Sequence, residues 1–143
     1  NIIKYLRIIY MISINAEIPN KYVVFDLETT GFSPAYAEII EIGAVTVENG
    51  IIVSRFQTYV KPLKRIPYNI TELTGITDAM VKNAPGIEDA IVRFIEYIGQ
   101  NILVAHNSSF DMRFVCAVCA FLGIEIRNSV IDSVKLAKKY ING

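Results

Sequence analysis

A chain of 143 residues, 52% of them hydrophobic and with positive mean hydropathy, has apolar material for one domain with a substantial core and too little length for two ordinary ones. Its 14 basic and 14 acidic side chains balance, which excludes a diffuse electrostatic attraction to nucleic acid or to an anionic membrane, so any phosphate binding has to be local. The sparse cysteines fit a reducing, cytoplasmic compartment.

The opening stretch, NIIKYLRIIYMISINAEIPN, is apolar but interrupted by Lys4 and Arg7. Its longest uncharged run, Ile8 to Ala16, falls short of the roughly 20 residues that span a bilayer. Ile14 stands where a small residue should precede signal-peptide cleavage after Ala16. Residues 1–20 therefore read as a flank, either outside the domain or docked on it as an added strand or helix, and no motif assigns them a function. With Asn1 first and Met11 the earliest methionine, the expectation is a fragment or a reading frame opened too early.

The domain, residues 21–143, shows orderly patterning. Tyr22 to Leu27 and Ile39 to Val47 read as strands. Asn49-Gly50 then predicts a hairpin into a third strand, Ile51 to Val60. A loop with Pro62 and Pro67 leads to short helical pieces in YNITELTGITDAMV. Beyond Pro85, the spacing of Ile87, Ala90, Ile91, Phe94, Ile95 and Ile98 predicts an amphipathic helix, with Glu88 and Asp89 in its first turn to suit the helix dipole. Asn101 to His106 reads as a short buried strand, and Ser108 opens a helix ending at Gly123. Cys116 and Cys119, in FVCAVCAFL, lack a second cysteine pair and a nearby histidine, so they read as small core residues and not as a zinc or redox site. Val130 and Ile131 predict one more strand before a lysine-bearing helix. The expected class is α/β: a mixed sheet, with a three-strand antiparallel meander plus parallel strands, flanked by helices.

The first strand runs into FDLETTG, which places Asp26 and Glu28 on one face, roughly 7 Å apart at about 3.3 Å per residue. Like charges there raise the cost of ionisation unless a cation or several donors compensate, and hard oxygen ligands on neighbouring positions suit Mg²⁺. The bland alternative is two solvated acids beside an ordinary turn, Thr29-Thr30-Gly31. VAHNSSFD, residues 104–111, repeats the pattern of buried strand into polar loop. Asp111 is then either a third carboxylate at the same end of the sheet or the acid of a Ser108/Asp111 capping box.

Taken in order, FDLETTG, IIEIGAV, LTGIT and VAHNSSFD resemble the exonuclease family with four acidic residues and a histidine, DEDDh, which includes bacterial DNA polymerase III proofreading domains and ribonuclease T. The likeness runs from Lys21 to the C-terminus, and TELTGITDAMVKNAP with VAHNSSFDMRF is most similar to the PolC-type polymerase exonuclease domain. It implies a ribonuclease H-like fold and a 3′–5′ exonuclease acting with two divalent cations, Mg²⁺ or Mn²⁺. Single-stranded 3′ ends are the implied substrate, DNA before RNA, with DNA proofreading the implied task and a DNA polymerase an implied partner. By the same resemblance Asp26, Glu28 and Asp111 are the catalytic metal ligands. Leu27, Thr29, Thr30, Gly31, Ile76, Thr77 and Asn107 would border the terminal nucleotide, and Asp132 in VIDSVKLAKKY corresponds to a helix-capping acid.

One departure matters. The family's third motif is a histidine with an aspartate five residues later, whereas the single histidine here, His106, sits at a strand end within the second motif. The chain is therefore expected to be truncated ahead of that motif and impaired in activity. Lys61, Lys64 and Arg65 either line the path of the strand or form a plain solvated loop. The competing functions are a non-catalytic nucleic-acid or polymerase-binding module of the same fold, an exoribonuclease trimming RNA 3′ ends, and a domain whose acids serve only turns and caps.

Overall fold

The computed structural model describes residues 2–13 and 19–141. A five-stranded sheet carries the fold, built from β1 (Lys21–Thr29), β2 (Ile39–Glu48), β3 (Ile51–Tyr59), β4 (Ile102–Ala105) and β5 (Val130–Asp132). The strand order is β3-β2-β1-β4-β5, with β1 central. It pairs antiparallel with β2 and parallel with β4, β3 extends the antiparallel side, and β5 extends the parallel side. The expected meander plus parallel strands is therefore present.

The hairpin between β2 and β3 turns on Asn49 at φ 52° and Gly50 at φ 78°. Both central residues are left-handed, as a two-residue turn matching the twist of the strands requires.

The helices are α1 (Ile2–Ser13), α2 (Tyr68–Thr74), α3 (Asp78–Val81), α4 (Ile87–Ile98), α5 (Ser108–Leu122) and α6 (Ser133–Ile141). Alternation along β1 sends Val23, Phe25 and Leu27 to one face, where Ile91, Phe94 and Ile98 of α4 and Phe114, Val115 and Cys119 of α5 cover them. Fully burying such a side chain contributes about 1.5–3 kcal/mol. Tyr22 and Val24 point the other way, into a second cluster with Val45, Val47, Val104 and the α1 residues Tyr5, Ile8 and Ile9. The first residues are thus a helix docked on the sheet, its contacts made at i, i+3 and i+4.

Two expectations change. β1 continues through Thr29, with Glu28 still in register opposite Glu41 and a bulge between Glu28 and Thr29, so both acids lie within the strand. Pairing with β2 extends it beyond the point where the apolar pattern stops. Of the two cysteines, both free, Cys119 is buried with Phe114 and Val115 in the core and Cys116 is exposed, because the packing over α5 reaches only Cys119. No helix among the described residues is long and apolar enough to cross a membrane. The residues weighed as a cleavage site, Ile14 and Ala16, lie outside the described residues.

Candidate active site

On the second face of β1 the side chains pass from Tyr22 and Val24, fully covered, to Asp26 and Glu28, half-buried. Asp26 is directly opposite Gly43 on β2, and Glu28 opposite Glu41. Asp26, Glu28, Glu41 and Gly43 line one cleft of about 260 Å³ together with Tyr5 from α1. The acids thus sit where the apolar cover of the sheet gives way to an open space.

Asp111 is only 3% exposed, in the first turn of α5. The capping-box alternative fails on geometry. The N-cap position is Asn107, at φ 60° and ψ 60°, and its side chain makes no capping hydrogen bond. The donors that start α5 are taken from across the sheet. Asn107 N–H and Ser108 N–H donate to the Asp132 carboxylate at 3.2 and 3.1 Å, and Val134 N–H donates to it at 2.9 Å. Burial opposes ionisation of Asp132, but the N–H groups of Val134, Ser108, Asn107 and Lys135 outweigh it and hold the carboxyl below its ordinary value. One carboxylate therefore caps α5 and α6 together, and Ser108 is the first residue of α5 rather than its cap.

The orientation of the acids registers on Tyr5. Burial first, then the charges of Asp26, Glu41, Asp111 and Glu28, push its phenol well above the usual tyrosine range. A single hydroxyl feels all three sequence-predicted acids. Among the described residues no three His, Cys, Asp or Glu side chains form a ready-made cage for an ion. Mg²⁺ is commonly held by one or two carboxylates, with water and substrate phosphate completing its shell, and the hard oxygens of Asp26, Glu28 and Asp111 suit that pattern.

The turn after β1 is stiffened by its own side chains. Thr29 Oγ1 donates to the Gly31 carbonyl at 2.7 Å, Glu38 N–H donates to Thr30 Oγ1 at 2.9 Å, and Thr30 N–H donates to the Glu38 carbonyl at 2.9 Å. The Glu38 carboxylate meanwhile accepts from Leu63 and Lys64 N–H, tying the basic loop to the same turn. Thr30, Gly31, Phe32, Tyr36, Lys64 and Arg65 share a cleft of about 380 Å³.

Other candidates lie elsewhere. Leu27 is core, facing α4 and α5, and Ile76 is buried with Ile40, Ile66 and Val81. Either can bear on a nucleotide only through its backbone. Thr77 is the N-cap of α3, accepting from Met80 N–H. Asn107 is exposed beside the start of α5, and His106 faces Ser133, with Nδ1 to Oγ at 3.1 Å. An apolar cleft of about 460 Å³ between α4, α5 and the start of β2 is lined by none of Asp26, Glu28 and Asp111.

Sequence reasoning missed Tyr5, Phe32 and Tyr36. Phe32 and Tyr36 are each 85% exposed beside the turn, and Phe32 meets Phe110 edge-on at 6.4 Å. An aromatic directly after the Thr-Thr-Gly turn was the available signal; for Tyr5 there was none.

The profile of a protein family described as Exonuclease matches residues 23–143. The chain belongs to the exonuclease family. This exonuclease domain is 48% identical over 119 residues to the PolC-type DNA polymerase III of Clostridium perfringens, covering 83% of this chain and 8% of the relative. Over 119 residues it is also 48% identical to the PolC-type DNA polymerase III of Bacillus subtilis, covering 82% of this chain and 8% of the relative. The chain thus spans under a tenth of these relatives. Among solved structures, exonuclease X in complex with 5′ overhanging duplex DNA superposes with TM-score 0.69 and 34% identity, over 85% of this chain and 65% of that one. Product-bound exonuclease I superposes with TM-score 0.76 over 87% of this chain and 32% of that one, at 15% identity, a likeness of fold.

Proposed function

We propose that this chain is a 3′–5′ exonuclease domain that removes nucleotides from single-stranded 3′ ends and serves DNA proofreading within or beside a polymerase. The observation that carries this reading is the pair Asp26 and Glu28 on one face at the open end of β1, with the buried Asp111 near enough to bear on the same Tyr5 hydroxyl. Those three acids would hold two divalent cations, Mg²⁺ or Mn²⁺. When bound, such a pair activates water for attack and stabilises the leaving oxygen of a phosphodiester.

The chain's own contribution is placement. The stiffened turn at Thr29, Thr30 and Gly31 presents backbone to the terminal nucleotide at the end of β1, and Asn107 flanks it from the start of α5. Exposed Phe32 and Tyr36 offer faces for stacking, and Lys64 and Arg65 supply local positive charge in the same cleft, so a neutral chain can still hold a strand without reading its sequence. DNA is favoured over RNA by the polymerase relatives and by the DNA held in the exonuclease X complex. Residues 21–143 form the exonuclease domain in this reading, residues 1–20 its flank, and the free cysteines agree with a cytoplasmic setting.

His106 bonds Ser133 at the end of β4 and lines no part of the cleft around Asp26 and Glu28, so the general base of the family has no counterpart there. We infer that these 143 residues, without that base, turn over more slowly by at least about 10² to 10⁴. The test is Mn²⁺ titration by calorimetry of wild type against Asp26→Ala, alongside digestion of 3′-single-stranded DNA and RNA oligonucleotides. Uptake that depends on Asp26 supports the reading; equal uptake by both proteins refutes it, and binding of 3′ ends indifferent to metal points to a non-catalytic module.

A further inference from the structure

Helix α1 covers the sheet with Ile8 and Ile9, which need only apolar company and find it in Val24, Val45, Val47 and Val104. Tyr5, one turn earlier, lies where that face turns acidic. Its side chain is 8% exposed. A buried phenol is amphipathic: the ring wants apolar cover, and the hydroxyl wants a hydrogen-bond partner. The second strand makes room for it. The Tyr5 hydroxyl lies 2.8 Å from the point a β-carbon at residue 43 would occupy, so only glycine there admits it. Gly43 is the cross-strand partner of Asp26, which sets the hydroxyl beside that carboxylate, in the cleft that Asp26 and Glu28 line.

We propose that Tyr5 is a positioning residue of the cation site, its hydroxyl seated in the Gly43 niche and orienting the Asp26 carboxylate. This rests on the proposed role of Asp26 as a metal ligand. A phenol hydroxyl carries a proton to donate and a carboxylate only accepts, so the hydroxyl in the Gly43 niche faces Asp26 as a donor. A donor on one carboxylate oxygen leaves the other directed at a cation, and losing such an outer partner costs about 10- to 100-fold in metal affinity. The first twenty residues then supply a residue to the site as well as a cover for the sheet.

The test compares Mn²⁺ affinity, by calorimetry on the whole 143-residue chain, for wild type, Tyr5→Phe, Gly43→Ala and the double variant, with thermal melts in parallel. Tyr5→Phe keeps the ring and its packing, so its melt should match wild type while Mn²⁺ affinity falls about tenfold. Gly43→Ala should displace the hydroxyl and cause a similar fall, and adding it to Tyr5→Phe should change affinity no further. Wild-type affinity in Tyr5→Phe, or additive losses in the double variant, overturns the role of Tyr5 alone. Absence of Mn²⁺ uptake by wild type overturns the cation reading and this proposal with it.

Discussion

Replacing Asp132 with alanine removes one carboxylate from two helix starts. The side chain accepts from Asn107 and Ser108 at the head of α5 and from Val134 at the head of α6, at 3.2, 3.1 and 2.9 Å. A lost cap costs about 1 kcal/mol per helix, so the pair comes to about 2 kcal/mol. Asp132 is only half-buried, and water can re-solvate the freed donors, which keeps the figure from rising further. For a domain of this size roughly 2–4 °C is lost per kcal/mol, so a thermal melt followed by circular dichroism should fall by about 4–8 °C. Mn²⁺ affinity should fall as well, because Asp111 rides on the first turn of α5 and that turn loses its anchor. Asp132→Asn keeps an acceptor and should lose about half as much stability. A melt for Asp132→Ala within about 1 °C of wild type would refute the double cap.

Further outcomes follow from the same geometry. Because the Asp132 carboxyl is held below its ordinary value, its contribution is present above the unfolded value of about 4 and is lost as pH falls through the folded value; wild type should therefore lose stability over that range, and Asp132→Asn should flatten that limb of the stability profile. Phe32→Ala should weaken binding of a single-stranded oligonucleotide by about 1–3 kcal/mol in fluorescence anisotropy, with the thermal melt unchanged, since the ring is 85% exposed. At Gly50, φ is 78° and a β-carbon would meet nothing within 4 Å, so Gly50→Ala should cost only the backbone term, about 1–2 kcal/mol by chemical denaturation.

Much of this molecule is legible in one dimension because local patterns carry it. Period-two alternation and the Asn49-Gly50 turn defined the meander, and the spacing of Ile87, Ala90, Ile91, Phe94 and Ile98 defined α4, since each pattern is set by neighbours along the chain. Asp26 and Glu28 were predictable as a same-face pair for the same reason: two residues apart on a strand means one side of it. The end of β1 was not, because the register with β2 carries the strand past its apolar run to Thr29. Nor was the exposure of Cys116, which depends on what packs against α5.

The residue types by themselves fixed which groups are able to bind a hard cation, and their order along the chain pointed to the exonuclease family. Only the tertiary structure could say where each of them lies. Asp111 and Ser108 have the spacing of a cap, yet Asp132, more than twenty residues away, takes the donors a cap would satisfy. Tyr5 is further still from Asp26 in sequence, and it reaches the acids because α1 has an apolar face to bury and Gly43 leaves a space for one hydroxyl. Hydrogen-bond competition and burial are decided between distant segments, and a linear pattern cannot record either.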